Sequence, residues 1–255
     1  RIVEGIFELT NSGRYTARAN NPPSSLLSNG EIRSISLLPD GSNYSFLVSI
    51  VNSSGDSCKA IYKPRSGEMP LWDFPLGTLF KREYLTYLVS QTIGWPLIPL
   101  TVIRDGPYGE GSIQLFIEAV PGSNYFTLWQ DNQDEFRRIY LFDCLVNNAD
   151  RKAGHCILGI DGHIWNIDHG LTFHHTSKLR TVIWEFCGQP IPEDLLLDLE
   201  SFVKCLSSNE ILKDELNRKL SKIEVNALED RARILLKERI FPQLSPYSNV
   251  PWPWV

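Results

Sequence analysis

The sequence has neither a long apolar run nor an excess of basic residues. A helix needs about 20 apolar residues to cross a bilayer, whereas the apolar run 46–51 is short and is interrupted by Ser49. We therefore expect no membrane span. The 255-residue chain carries 25 Lys and Arg against 30 Asp and Glu, a net charge of −5, with no basic block that could follow a phosphate backbone. We therefore expect no nucleic-acid partner.

Cysteine pairs and zinc-type clusters are also missing. The five cysteines are odd in number and scattered, at Cys58, Cys144, Cys156, Cys187 and Cys205. Neither a disulfide framework nor a zinc site has such spacing, so we expect reduced thiols and a cytoplasmic protein. His169, His174 and His175 lie close together, but no cysteine or acidic residue has the companion spacing of a zinc site. We interpret these histidines as loop residues.

What the sequence does contain is a pair of acidic residues on either side of a short hairpin. Asp150 opens a loop after an apolar helical stretch, and Asp168 follows a strand-like run. Asp161-Gly162 lies between two apolar runs, which is a strong hairpin signal because both residues tolerate positive φ. A hairpin holds its two ends at a fixed separation. We therefore expect Asp150, His155 and Asp168 to converge on one site.

Two carboxylates in this order are typical of a site for divalent metal and phosphate. In the general kinase pattern, a loop Asp orients the acceptor hydroxyl, a residue further along holds metal, and a second Asp before Gly holds metal again. Asp150 and Asp168 fit the two acidic roles, and His155 takes the position of an Asn. The alternative is that these segments are only turns with solvated Asp side chains. We favour the site because the whole set occurs in order.

The first half of the sequence predicts a β-rich lobe. After a possible strand at 2–9 and a Ser-, Asn- and Pro-rich passage, a meander is predicted with strands at 35–38, 44–51 and 57–63. The first turn of the meander contains Ser42 and Asn43 and has two interpretations. Its backbone N–H groups could cover the phosphates of a nucleotide, or it is an ordinary hairpin turn.

A lysine and a glutamate extend the candidate site. Lys63 ends an apolar strand of the meander, and Glu83 lies on the predicted helix 79–93, whose apolar residues recur at helical spacing until Gly94. A carboxylate that orients Lys63 would make it a phosphate-binding residue. Taken alone, each residue is equally a surface charge, so their order in the chain is what supports the pair.

We place the lobe boundary near residue 120, where a Pro-Gly-Ser-Asn stretch changes the composition. The N-lobe then comprises residues 1–120 and the C-lobe residues 121–255. Strands are predicted at 100–104 and 112–120, and helices at 135–146, 192–206, 209–220 and 222–240. An adenine is expected at the crossing, where it would use backbone groups of the stretch from Phe116 to Ala119, which includes Glu118.

The tail 246–255 carries two tryptophans between prolines, Trp252 and Trp254. It is either a packed extension or a polyproline II segment that binds a partner. We favour packing because an exposed Trp is costly for solubility.

Taken in order, these motifs resemble the phosphatidylinositol 3-/4-kinase-like branch of the protein-kinase superfold, and more closely an uncharacterised bacterial family that carries this domain. The resemblance runs from about residue 32 to residue 206. It implies an α+β, two-lobed fold with a β-rich N-lobe and a mainly helical C-lobe. Asp150-Arg151 matches the start of the family's catalytic loop, Asp168 matches its metal-binding Asp, and Lys63 with Glu83 matches the ion pair that positions the α- and β-phosphates.

The resemblance implies a kinase that transfers the γ-phosphate of ATP to a hydroxyl group with the help of Mg²⁺ or Mn²⁺. Lys63 and the metals would neutralise the triphosphate, Asp150 would orient the acceptor, and Arg151 would position either the loop or the phosphoryl group. The segment 172–190 lacks the basic cluster that an inositol headgroup would need, so we expect a protein or small-molecule acceptor rather than a lipid.

Two positions depart from the family pattern. His155 stands where the family has Asn, and His169 stands where it has an aromatic residue. Imidazole is a softer ligand than an amide oxygen, which predicts a preference for Mn²⁺. The same departures leave open a nucleotide-binding pseudokinase that acts as a scaffold. A related enzyme alternative is transfer of AMP on the same fold.

Overall fold

A five-stranded antiparallel sheet makes up most of the first of two structural units. The computed structural model describes residues 24–39 and 41–254, and its first unit consists of residues 24–70 and Leu100–Phe116. The strands are β1 (Glu31–Leu37), β2 (Phe46–Val51), β3 (Ser57–Pro64), β4 (Thr101–Gly106) and β5 (Gly109–Leu115), in the order β1-β2-β3-β5-β4. The predicted meander is confirmed. The possible strand at 2–9 lies outside the described residues.

One face of this sheet forms a core and the other carries Lys63. The inward residues of β2 and β3 include Ile50 and Tyr62, both fully buried, and a short helix α1 (Ser24–Asn29) contacts both strands. Because side chains alternate along a strand, Lys63 points away from the face of Tyr62. On β5, a Cβ at Gly111 would clash with the Lys63 carbonyl oxygen, so glycine allows the close pairing of β5 with the end of β3.

The prediction of a strand over 112–120 is wrong in its bounds. The ladder of β5 ends at Leu115, and the Phe116 N–H then donates to the Lys59 carbonyl oxygen. Beyond this point the chain leaves the sheet, and the Val120 N–H donates to the carbonyl oxygen of Leu158 at 2.7 Å. Apolar composition alone therefore overstated the length of the strand.

The second unit is mainly helical and consists of Leu71–Pro99 and residues 117–254. Its helices are α2 (Leu79–Thr92), α3 (Tyr125–Leu128), α4 (Gln133–Val146), α5 (Glu193–Ser208), α6 (Glu210–Lys219) and α7 (Lys222–Glu238), and its hairpin is β6 (Cys156–Leu158) with β7 (Ile164–Asn166). The predicted helices are confirmed to within three residues at each end. None of the helices in the described part of the chain is long and apolar enough to cross a membrane. The single lobe boundary at residue 120 stays a prediction.

Helix α4 brings the chain to the candidate site. Its apolar face is fully buried and includes Phe136, Ile139 and Phe142. The helix ends at Asn147, which adopts a left-handed conformation with φ 54°, a conformation that Asn tolerates at a helix end. The Asn147 Nδ2 donates to the carbonyl oxygens of His174 and Thr176 at 2.8 and 2.7 Å. These bonds fix the point at which the loop with Asp150 begins.

The C-terminal tail is tied down through its backbone. The Asn249 carbonyl oxygen accepts the Thr181 N–H at 3.0 Å, and the Trp254 carbonyl oxygen accepts the Ala153 N–H at 2.8 Å. The predicted packing is confirmed for the main chain. Trp252 and Trp254 are nevertheless 85% and 54% exposed, so the expectation that both tryptophans avoid solvent is wrong.

Candidate active site

One acidic loop precedes the first strand of the β6–β7 hairpin, and the other follows its second strand. Cys156 pairs with Asn166 and Leu158 with Ile164, and the connecting turn has Gly162 at φ 78°, as the Asp-Gly signal predicts. The loop before β6 contains Asp150, and the loop after β7 contains Asp168. The hairpin prediction is therefore confirmed.

Asp168 and His155 are brought together by this hairpin. The Nε2 atom of His155 lies 3.4 Å from Oδ2 of Asp168, whose side chain is 51% exposed. Asp168 has φ 61°, a left-handed conformation that costs free energy and that clusters at functional sites. His155 Nδ1 accepts the Lys152 N–H at 3.4 Å, which leaves the imidazole proton on Nε2, facing Asp168.

Asp168 and His155 are the two candidate ligands for a divalent metal in this loop. Phosphotransferase metals are commonly held by one or two carboxylates together with substrate phosphates and water, so the half-exposed Asp168 fits such an ion. In residues 24–39 and 41–254, no group of three or more His, Cys, Asp or Glu side chains could hold a metal. His155 would become a ligand through Nε2 only if its proton moved to Nδ1, where the Lys152 N–H now donates. Its predicted role as a metal ligand stays a prediction.

Asp150 has the environment of a general base. Burial raises the pKa of its carboxyl to about 6, the charge of Lys152 opposes this rise, and the charge of Asp168 adds to it. Lys152 Nζ lies 3.1 Å from Asp150 Oδ2, and the Asp150 N–H donates to Oδ1 of Asn148 at 3.0 Å. A base with a pKa near neutrality is well suited to accept a proton at physiological pH. No sequence signal indicated Lys152, although it lies only two positions after Asp150.

Arg151 is fully buried beneath the loop. Its Nε and Nη2 atoms each donate to a carboxylate oxygen of Asp143, both at 2.8 Å, and Nη2 also lies 2.7 Å from Nε2 of His169. Burial lowers the pKa of Arg151 but the Asp143 carboxylate raises it, and the net change is upward. Of the two predicted roles for Arg151, this geometry favours positioning of the loop. Asp143 was not predicted from the sequence, because a charged residue on a helix is usually solvated.

Glu83 on α2 contacts the loop after Asp168. Its side chain is 2% exposed, and Oε2 accepts the N–H of His169 at 3.0 Å. A Cβ at Gly170 would be in ordinary van der Waals contact with Glu83 Oε1, at 3.7 Å, so the loop packs directly against the carboxylate. The pairing of Glu83 with Lys63 stays a prediction.

The predicted nucleotide-binding residues of the first unit lie at the end of β3, in the turn before β2 and directly after β5. Lys63 lies opposite Ser112 at the end of β3. The Asn43 Oδ1 accepts the Met69 N–H at 2.7 Å, so this side chain ties the turn to the segment after β3, while Ser42 is exposed. The Phe116 N–H already belongs to the sheet.

Glu118 lies in the second unit. Its side chain is exposed, and its carbonyl oxygen accepts the Ile160 N–H at 2.9 Å. The structure therefore brings together the predicted residues Glu83, Asp150, Arg151, His155 and Asp168 of this unit. The nucleotide-binding roles of the other predicted residues stay predictions.

Known proteins resemble the chain in sequence and, at lower identity, in fold. No family model matches the sequence. Protein Rv2133c of Mycobacterium tuberculosis is 36% identical over 263 residues, which cover 89% of this chain and 94% of that protein. The chain belongs to the Rv2133c family. The name of Protein Rv2133c states no activity, so membership of this family does not by itself assign an activity to the chain.

Solved structures show the fold of this Rv2133c-family chain. Hydra Fam20, solved with a sugar, matches with a TM-score of 0.50 and 13% identity over 84% of this chain and 87% of its own. The proinflammatory kinase CtkA of Helicobacter pylori matches with a TM-score of 0.50 and 11% identity over 84% and 94%. The predicted α+β, kinase-like fold is confirmed. The narrower likeness to phosphatidylinositol 3-/4-kinases stays a prediction.

Proposed function

We propose that this chain is an ATP-dependent phosphotransferase that moves the γ-phosphate to a hydroxyl acceptor. The observation that carries the proposal is Asp150, a partly buried carboxylate whose pKa is raised to about 6, at one end of the hairpin whose other end carries Asp168. The kinase-like fold supports the reaction class. The resemblance of the motifs to phosphatidylinositol 3-/4-kinases supports an atypical kinase.

In the proposed reaction, the acceptor oxygen forms a bond to the γ-phosphorus while the bond to the bridging oxygen of ADP breaks. Asp150 accepts the proton of the acceptor hydroxyl, a contribution typically worth about 10²–10⁴ in rate. Lys152, 3.1 Å from Asp150, adds positive charge beside the transferred group. Lys63 contacts the α- and β-phosphates and is oriented by Glu83.

The residues proposed to hold the divalent metal are Asp168 and, beside it, His155. Bound there, Mg²⁺ or Mn²⁺ would offset negative charge on the phosphates. The imidazole next to the carboxylate favours Mn²⁺. Backbone groups of the turn with Ser42 and Asn43 would cover the phosphates, and backbone groups of Phe116 and Glu118 would contact the adenine.

The acceptor is proposed to be a protein hydroxyl or a small molecule rather than a lipid. In the segment 172–190, Lys178 is already paired with Asp73 at 2.7 Å, which leaves little positive charge for a polyanionic headgroup. The sugar in the Fam20 structure makes sugars a suitable first panel of small acceptors. A cytoplasmic location is proposed from the reduced cysteines.

The test uses ATP labelled at either the α- or the γ-phosphate, with Mg²⁺ or Mn²⁺ and with protein and sugar acceptors. We expect label from the γ-position to be transferred, Asp150→Asn to retain nucleotide binding and lose turnover, and Asp168→Ala to lose metal-dependent binding. Unchanged turnover in Asp150→Asn would refute the assignment. Transfer of the α-label would instead establish AMP transfer.

One observation supports a second function, a nucleotide-binding scaffold without turnover. The His155 proton on Nε2 faces the Asp168 carboxylate. The imidazole therefore interacts with a carboxylate oxygen that a metal ion would otherwise bind. Binding of ATP with no transfer of either label would favour this function.

A further inference from the structure

Arg82 precedes Glu83 on α2 and is buried against two partners. Its side chain is 1% exposed. The Nη2 atom lies 2.5 Å from Oε1 of Glu224 on α7, and the Nη1 atom donates to the carbonyl oxygen of Thr172 at 2.6 Å. The guanidinium also lies 5.0 Å from the ring centroid of Phe74. A single side chain therefore links α2 to α7 and to the loop after Asp168.

Glu224 is shared between this contact and the start of its own helix. Its Oε2 atom accepts both the N–H and the hydroxyl of Ser221, at 2.9 and 2.7 Å, in a capping box. Its other oxygen remains for Arg82. The carboxylate is thus held by α7 before it meets the guanidinium.

Two consecutive residues of α2 hold the loop after Asp168 at its first and fourth positions. Glu83 accepts the N–H of His169, and Arg82 donates to the carbonyl oxygen of Thr172. The Thr172 hydroxyl closes the loop by donating to the His169 carbonyl oxygen at 2.9 Å. Any rotation of α2 at this point would therefore move the backbone next to Asp168.

We propose that Arg82 and Glu224 form a positioning pair that holds Glu83 and the Asp168 loop in the geometry needed for nucleotide and metal binding. This inference rests on the proposed function. A buried ion pair is weak evidence for stability, since a well-packed apolar pair often serves the fold equally well. An apolar pair could not donate to the Thr172 carbonyl oxygen. Compared with an apolar pair, the Arg82–Glu224 ion pair therefore adds the hydrogen bond to the Thr172 carbonyl oxygen of the loop.

The test compares the wild type with the double variant Arg82→Met/Glu224→Gln, which removes both charges of the pair together and keeps a Gln that can accept the Ser221 N–H. We expect a melting temperature within about 4 °C of the wild type. Amide exchange across residues 168–173 should be about tenfold faster, as measured by mass spectrometry. Calorimetry should show metal-dependent affinity for a non-hydrolysable ATP analogue weakened about tenfold or more.

Arg82→Lys provides the conservative comparison. An ammonium can keep the charge opposite Glu224 but cannot reproduce the two directed bonds of a guanidinium. We expect its loop exchange and analogue affinity to lie between those of the wild type and the double variant. If the double variant fails to fold, Arg82→Lys decides the question by the same two measurements.

The matched control is Lys219→Met/Glu215→Gln. This pair lies at 2.6 Å on α6, and Lys219 Nζ lies 5.2 Å from the ring centroid of Tyr84, the neighbour of Glu83. The Lys219 Nζ donates to Oε2 of Glu215, four residues earlier on the same helix. We expect its loop exchange and analogue affinity to match the wild type.

The outcomes separate the two proposals. Wild-type loop exchange and wild-type affinity in both Arg82 variants would overturn the positioning role and leave the proposed function intact. A wild-type chain that binds no analogue would overturn the proposed function, and the exchange measurement would still show whether the pair holds the loop. Equal effects in the control would show that general packing on α2 accounts for the result, and would overturn the specific role.

Discussion

The guanidinium of Arg151 donates to the imidazole of His169, with Nη2 2.7 Å from Nε2 in a fully buried setting. Arginine carries only donors at any relevant pH, so Nε2 of His169 must accept. His169 is therefore neutral in this arrangement, with its proton on Nδ1. His169, which stands where the kinase-like pattern has an aromatic residue, therefore takes part in the network that holds the loop with Asp150.

Asp143→Asn is expected to destabilise the fold strongly. The substitution leaves the buried Arg151 with no carboxylate, and breaking a buried pair in this way typically costs about 3–5 kcal/mol. Urea denaturation at pH 7.5 measures the change. Asp134→Asn is the control, because its pair with Arg137 is exposed and should contribute less than about 0.5 kcal/mol. Equal losses in the two variants would contradict the buried network.

Asp150→Asn is expected to stabilise the free protein, and more so at high pH. The folded pKa of Asp150 is raised to about 6 from an ordinary value of 3.8, so the wild type loses stability as pH rises between these values and is constant above. Asn has no such dependence. The gain from the substitution should therefore be about 2 kcal/mol larger at pH 7.5 than at pH 4.5. Urea unfolding without metal or nucleotide tests this, and a gain that is the same at both pH values would argue against the raised pKa.

Lys152→Met is expected to shift the pH dependence of catalysis. The Lys152 charge lowers the pKa of Asp150 relative to what burial alone would give, so removing it raises that pKa further. More of the base is then protonated near neutrality, and the acidic limb of kcat/KM should move to higher pH. The loss of activity should be larger at pH 6.5 than at pH 8.5. An equal loss at both pH values would mean that Lys152 acts only on the substrate.

His155→Asn is expected to move the metal preference from Mn²⁺ towards Mg²⁺. An amide oxygen is a harder ligand than an imidazole nitrogen, and Asn is the residue that the phosphatidylinositol 3-/4-kinase-like pattern has at this position. The measurement is the concentration of each metal that gives half-maximal binding of an ATP analogue. A wild type that already binds more tightly with Mg²⁺ would count against the role of His155 in metal choice.

Local signals predicted the parts of the site that local geometry determines. Asp161-Gly162 specifies a tight turn by backbone conformation alone, and the apolar periodicity of α4 ends where Asn147 can adopt a left-handed conformation. These two features place Asp150 and Asp168 at the ends of one hairpin. They needed no knowledge of distant contacts.

The buried charges could not be predicted in the same way. On α7 the sequence indicates a solvated face, and Glu229 with Arg233 does form an exposed pair at 3.9 Å. Glu224 on the same helix is 4% exposed and pairs with Arg82, 142 positions away. Helical periodicity places Glu224 on the buried stripe with Leu228 and Ala232, but it cannot identify the arginine that meets the carboxylate there, because only the tertiary fold determines that partner.

The tail contact at Ala153 has a practical consequence for protein samples. The contact is made by the main chain: the Trp254 carbonyl oxygen accepts the N–H of Ala153, which lies three positions after Asp150. A preparation clipped by protease ahead of Asn249 would lose this acceptor and the one at Thr181 together. Such a sample would contain two populations with different surroundings at the loop after Asp150, so intact mass should be checked before any two activity measurements are compared.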